Sequence, residues 1–328
     1  MGRQLVACVN KLAEREKVTS TAVLCPGQGA QYVGMGAKWC AASSAAADVF
    51  KQADEILDGV FSAPLSTLCF EGPAEELNKT SVSQPAIYTC SVASYHGLIE
   101  MGQPLSPVCL AGLSLGEYTA LHLADAFDFD QGLQLVTERG RLMQQAAEAS
   151  DGGMLALIGA DEEQATSLCE QVSADGAILV PANFNAPGQI VLSGQAAACE
   201  RAAVIAAEQG LRATPLTVAG AFHSPLMELA GVGLASALAS STIRPLVIPV
   251  WSNVTAKLHN QDDGELLRKR LVQQLTSPVR WSQSCSHMIE SGPEAMAELA
   301  PGTVLRGLMR RIDRAKKVVS HDEPQDKS

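Results

Sequence analysis

Short apolar runs alternate along the chain with longer stretches whose apolar positions recur every three or four residues, which predicts an α/β architecture. Thr21 to Cys25 reads as a buried strand ending in the glycine-rich turn Pro26-Gly27-Gln28-Gly29. Pro107 to Ala111 reads as a second strand; the turn Gly112-Leu113-Ser114-Leu115-Gly116 follows, and Glu117 to Leu123 continues as helix. From Gly153 the texture changes. Met154 to Gly159 is a strand, Asp161 caps a helix with Gln164 three residues on as in a capping box, and Ile178 to Phe184 and Gln189 to Leu192 are strands joined across Asn185-Ala186-Pro187-Gly188. An alanine-rich helix from Ala196 to Gln209 and a last strand from Ala213 to Val218 complete a β-α-β-β-α-β order, the ferredoxin-like arrangement. The expected organisation is a large α/β domain over 20–149 and 219–319, a small ferredoxin-like subdomain over 150–218 inserted into it, and flexible termini at 1–19 and 320–328.

Composition narrows the class. The 328 residues are 47% hydrophobic and 18% charged, a globular composition with room for a full core. Thirty-five acidic against 24 basic residues leave a net charge of −11, a field that repels phosphate backbones and anionic membranes, so no nucleic-acid or membrane-surface role is expected. No apolar run is long enough to cross a bilayer. The nine cysteines stand singly, with neither a C-x-x-C pair nor a Cys/His cluster of zinc spacing; unpaired thiols in a reducing compartment fit, and no metal site is expected. The first twenty residues lack the apolar core of a secretory signal, and the polar tail after Val319 is expected to fray.

Gly112-x-Ser114-x-Gly116 between a strand and a helix has the form of a nucleophile elbow, where the helix start offers N–H groups to a developing oxyanion. A tight turn that merely holds a polar residue has the same sequence. A serine needs a base. Among the six histidines, His96, His122 and His259 stand in ordinary polar or helical surroundings, His321 is in the tail, and His287 suits a structural place in a helix. His223 follows small residues and Phe222 and precedes Ser224-Pro225, which starts a helix, so it is either a base or a cap. Arg139 lies three residues after Val136 and four before Met143 and so points with the apolar face of its helix, which spans about Gln131 to Ala149, whereas Arg141 belongs to the solvated side. A guanidinium held inward needs an anion: either a ligand carboxylate or an internal salt-bridge partner. Gly27-Gln28-Gly29 lacks the lysine of a P-loop and the spacing of a dinucleotide fingerprint, and Gln273-Gln274 reads as a solvated helix face.

Taken together, Pro26-Gly27-Gln28-Gly29-Ala30-Gln31, Gly112-Leu113-Ser114-Leu115-Gly116-Glu117, Arg139, Asn183-Phe184-Asn185-Ala186-Pro187-Gly188-Gln189, Phe222-His223-Ser224 and Gln274 before Pro278-Val279 resemble the motifs of malonyl-CoA:acyl carrier protein transacylases and of the acyltransferase domains of polyketide synthases, over nearly everything from Thr21 to Lys317. The resemblance implies a hydrolase-like α/β core with a ferredoxin-like lid. It makes Ser114 the acylated nucleophile, His223 its base, and Gln28 and the amide of Leu115 the oxyanion holders. Arg139 would bind the malonate carboxylate, Gln274 with its backbone would orient a histidine that has no aspartate partner, and Asn183 and Asn185 would lie at the subdomain face of the cleft. Phe222 resembles the malonyl-selecting form, and Leu113, where many bacterial members carry histidine, resembles plastid and cyanobacterial members; cytoplasm and plastid stroma both fit. The implied reaction needs no cofactor beyond its substrates.

A serine esterase shares the elbow but has no use for a cation where the acyl group lies, and a non-catalytic docking module would keep only the fold. For an acidic carrier protein, the basic segment with Arg306, Arg310, Arg311 and Arg314 is the expected dock; Arg268, Lys269 and Arg270 form another basic cluster. The chain is expected to act as a monomer.

Overall fold

A computed structural model describes residues 19–325. Its strands are β1 (Ser20–Cys25), β2 (Ser106–Gly112), β3 (Gly152–Ile158), β4 (Leu179–Ala186), β5 (Gln189–Gln195), β6 (Arg212–Pro215), β7 (Ala295–Leu299) and β8 (Val318–His321). The helices that bear on the site are α1 (Thr80–Glu100), α2 (Gly116–Leu123), α3 (Phe129–Glu148), α4 (Glu162–Ser173), α5 (Ala196–Glu208), α6 (Glu228–Ala239), α7 (Gly264–Gln274), α8 (Trp281–Glu290) and α9 (Val304–Ile312).

One sheet is parallel, in the order β2-β1-β7-β8, and a separate antiparallel sheet runs β4-β5-β3-β6. Successive side chains of a strand face opposite sides, and β1 buries both: Ala22 and Leu24 join a cluster with Trp251, Val279 and Trp281, while Val23 and Cys25 join the larger core under α1 and α3. This is why β1 reads as a continuous apolar run and not as an alternation. In the antiparallel sheet the faces also divide. Leu155 and Leu157 pack on the small side chains of α4 and α5, whereas Met154, Ala182 and Val191 turn to the larger core. Edge strand β4 is tied to the segment before α8: the Phe184 N–H donates to the Val279 carbonyl at 2.9 Å and the Val279 N–H to the Ala182 carbonyl at 2.8 Å.

The element order from Gly152 onward is the one the sequence implies, and Asp161 and Gln164 exchange both capping-box bonds. Three local expectations change. The β4–β5 connection is shorter than Asn185-Ala186-Pro187-Gly188: β4 runs on through Ala186 with register shifts after Pro181 and Phe184, and the reversal is left to Pro187 and Gly188, the latter at φ 69°. Strand β6 stops at Pro215, which lacks the N–H a longer strand would use, although the Leu216 N–H still reaches the Met154 carbonyl. Residues 320–323 are held and not free: β8 includes Ser320 and His321, the Trp39 indole N–H lies 3.1 Å from the His321 and Asp322 carbonyl oxygens, and Lys38 pairs with Glu323 at 2.6 Å. Residues 1–18 and 326–328, expected to be flexible, lie outside the described residues.

Candidate active site

Strand β2 delivers the chain into the elbow, and two glycines make the sharp turn feasible. A Cβ on Gly112 would sit 1.8 Å from the Gly116 carbonyl carbon, and one on Gly116 would sit 2.1 Å from the Cys25 carbonyl oxygen. Ser114 takes φ 51°, an unfavourable conformation for a side-chain-bearing residue, and Asn253 pins it: its Oδ1 accepts from the Ser114 N–H at 2.6 Å and its Nδ2 donates to the Gly112 carbonyl at 2.7 Å.

Ser114 Oγ lies 2.8 Å from His223 Nε2, and His223 Nδ1 lies 2.8 Å from the main-chain oxygen of Gln274 at the end of α7. A carbonyl can only accept, so Nδ1 carries the proton and Nε2 is left to take one from Ser114. His223 is therefore both base-competent and set beside the turn that starts the helical run through α6, with Ser224 Oγ, not the imidazole, accepting from the Leu226 N–H as the cap. Burial, then the nearby Arg139 charge, push its pKa down to about 4 against a weaker upward pull from the carbonyl bond. Neutral imidazole persists well below the usual histidine range, so Ser114 acylation measured at thioester concentrations well below saturation, which reports the base of the free enzyme, is expected to hold its rate from about pH 8 to about pH 5 and to fall only as pH approaches about 4. A fall centred near the ordinary histidine value would contradict this.

Arg139 is 1% exposed on α3. It donates from Nη1 to Gln84 Oε1 at 2.7 Å and from Nη2 to Gln274 Oε1 at 2.9 Å and Ser114 Oγ at 3.0 Å, with the Tyr118 ring centroid 5.5 Å from its Cζ. Every hydrogen-bond partner is uncharged, and among the described residues it enters no direct ion pair. Arg141, by contrast, pairs with Glu138 on the exposed face. Gln274 is correspondingly not on a solvated face: it is 1% exposed, and its Nε2 donates to the Ser114 carbonyl at 3.0 Å and to Glu117 Oε2 at 2.6 Å.

A cavity of about 170 Å³ opens on Ser114, walled by Gln28, Leu113, Met143, Asn183, Asn185 and Phe222 among others. An adjoining cleft of about 540 Å³ shares Gln28 with it and reaches Lys79 and Gln144. The Gln28 side chain turns to Thr80 Oγ1 at 3.2 Å, and Leu115 is buried at the N-terminal end of α2. The structure thus gathers Ser114, His223, Arg139, Gln274, Gln28, Leu115, Phe222 and Asn183 around one cavity and the elbow beside it. Arg306, Arg310, Arg311 and Arg314 lie apart, exposed on and just after α9, where Arg311 reaches Gln189 at 2.8 Å. Among the described residues, no group of three or more His, Cys, Asp or Glu side chains is placed to hold a metal ion, and no helix is long and apolar enough to cross a membrane.

The acyl transferase domain model matches residues 23–321. The chain belongs to the acyl transferase family. A malonyl CoA-acyl carrier protein transacylase of Bacillus subtilis is 39% identical over 309 residues, covering 94% of this chain and 95% of the relative. The crystal structure of an acyl carrier protein S-malonyltransferase from Vibrio cholerae superposes with a TM-score of 0.87 at 39% identity, over 93% of this chain and 98% of that one. A malonyl-transacylase solved in complex with its type II polyketide acyl-carrier protein gives 0.88 at 37% identity, over 93% and 97%.

Four further residues shape this acyl transferase site, and the sequence alone assigns none of them a role: Gln84, Asn253, Glu117 and His259. His259 corrects an expectation, since it is 3% exposed with Nε2 at 2.6 Å from Glu117 Oε1 rather than in ordinary polar surroundings. The only local signal was Glu117, the residue that closes the elbow motif.

Proposed function

We propose that the protein transfers malonyl from malonyl-CoA to the phosphopantetheine thiol of an acyl carrier protein through a malonyl-serine intermediate. The observation that carries this reading is the buried Arg139, 3.0 Å from the nucleophile's oxygen and paired only with neutral groups. Glu117 acts on Arg139 only from beyond Gln274, so a carboxylate on the acyl group is the direct counter-charge the guanidinium does not meet, and a serine esterase has no use for it.

In the first half-reaction His223 Nε2 takes the Ser114 proton while Oγ bonds to the thioester carbon; the oxyanion is held by Gln28 and the Leu115 amide. The C–S bond breaks and the CoA thiolate leaves with the proton from His223. The second half runs in reverse with the carrier thiol. Gln274 orients His223, Asn183 faces the acyl group, and Phe222 crowds an α-branch, favouring malonyl over methylmalonyl. The core is hydrolase-like, and the β4-β5-β3-β6 sheet with two helices on one face supports a ferredoxin-like lid over 150–218, inserted into a large domain over 20–149 and 219–319. The reaction uses no cofactor. The described cysteines are all free, which suits a reducing address, cytoplasm or plastid stroma, and the protein acts as a monomer.

Intact-protein mass after brief exposure to malonyl-CoA tests the reading: a persistent malonyl adduct on the peptide containing Ser114 supports it, rapid release indicates an esterase, and no adduct indicates a docking module.

The carrier docks on the exposed basic surface of Arg306, Arg310, Arg311 and Arg314, a local attraction against an unfavourable global charge. Arg310→Glu with Arg311→Glu is expected to weaken transfer to the carrier, more so at low salt, while loading from malonyl-CoA is nearly kept. Equal loss in both half-reactions would locate the damage in the fold.

A further inference from the structure

The geometry points to Glu117 as a positioning residue: a buried carboxylate that fixes the direction of the Gln274 side-chain amide and, through it, the aim of Arg139 at the acyl group's carboxylate. The inference rests on the malonyl-transfer reading above. Glu117 is 1% exposed and both of its oxygens are engaged. Oε1 faces His259 Nε2 at 2.6 Å, with Arg270 Nη1 3.5 Å from the other ring nitrogen; Oε2 accepts from Gln274 Nε2 at 2.6 Å and from the Asn253 N–H at 3.3 Å.

Glu117 Oε2 faces the amide as an acceptor, as it does the Asn253 N–H, and a guanidinium offers donors only. The Gln274 amide, with one end of each kind, lies between them and has a single satisfactory orientation: nitrogen on Glu117, oxygen on Arg139 Nη2 at 2.9 Å. Reversed, it would set NH2 against the guanidinium and oxygen against the carboxylate. The oxygen that receives the His223 Nδ1 proton is main chain, so it does not turn with the amide. Glu117 therefore governs the reading of the acyl carboxylate more than the base, and it touches neither Ser114 Oγ nor His223.

The test uses the full chain and measures single-turnover acylation of Ser114 by malonyl-CoA and by acetyl-CoA. Glu117→Leu, of similar size without an acceptor, is expected to lower the malonyl-to-acetyl ratio by about tenfold or more, the effect of misplacing one hydrogen bond to a charged group. Glu117→Gln, whose amide oxygen accepts from both Gln274 and Asn253, should recover most of the ratio. Gln274→Met cuts the same link while keeping the main-chain oxygen; it should lower the ratio to a similar extent, and the double variant Glu117→Leu with Gln274→Met should lower it no further. Should Glu117→Leu fail to melt cooperatively, Gln274→Met and Glu117→Gln decide alone. A folded Glu117→Leu or Gln274→Met with the wild-type ratio, or with equal loss for both substrates, overturns the inference. An unchanged ratio in Arg139→Ala, or wild-type protein that takes no malonyl, overturns the underlying reading and the inference with it.

Discussion

Arg139→Ala is expected to lower malonyl loading of Ser114 by about 30-fold to several thousandfold and to lower acetyl loading little. The range corresponds to about 2 to 5 kcal/mol, the cost of leaving one partner of a buried charge pair unmet. The guanidinium is held by Gln84, Gln274 and Ser114 oxygens, so its removal leaves no carboxylate of the protein stranded, and the loss falls on the substrate's. Arg139→Lys should rescue poorly: a single ammonium cannot keep Gln84 and Gln274 while presenting a planar fork to the ligand. Acylation by the two thioesters, measured in parallel on folded variants, gives the ratio. An unchanged ratio would show that malonyl selectivity resides elsewhere.

His223→Ala is expected to slow both half-reactions by about 10² to 10⁴, since one imidazole takes the proton from serine in the first and from the carrier thiol in the second. His223 has φ 57°, where alanine is strained, so Ala alone confounds loss of the base with a misplaced turn. Asn tolerates that conformation. His223→Asn and His223→Ala should therefore lose activity to a similar degree while Asn melts at the higher temperature. Loss confined to one half-reaction would identify a second base.

Which parts of this were legible in the sequence follows from how local their causes are. The elbow is written in consecutive residues, since Gly112 and Gly116 answer contacts made within the turn and with β1. Arg139 was placed inward by helix periodicity, because the apolar stripe of α3 fixes its direction whatever it meets there. Its partners were not legible: Gln84 is 55 residues away and Gln274 is 135, and nothing in a run of polar residues says that one of them is buried. The burial of His259 is hidden for the same reason, since its neighbours in sequence are polar while its neighbour in space is Glu117, 142 residues earlier. The hold on Ser320 and His321 is not legible because polar composition carries no sign of pairing with β7 or of the Trp39 N–H that meets the His321 carbonyl.

The Arg139 charge stands close enough to His223 to be, after burial, the next cause of its weak basicity. On the proposed malonyl-transfer reading, a malonyl group that brings its carboxylate to Arg139 cancels that charge at the moment the base is needed, whereas an acetyl group leaves it in force. On that reading the malonyl thioester strengthens its own general base, and discrimination enters the rate of proton transfer as well as the strength of binding.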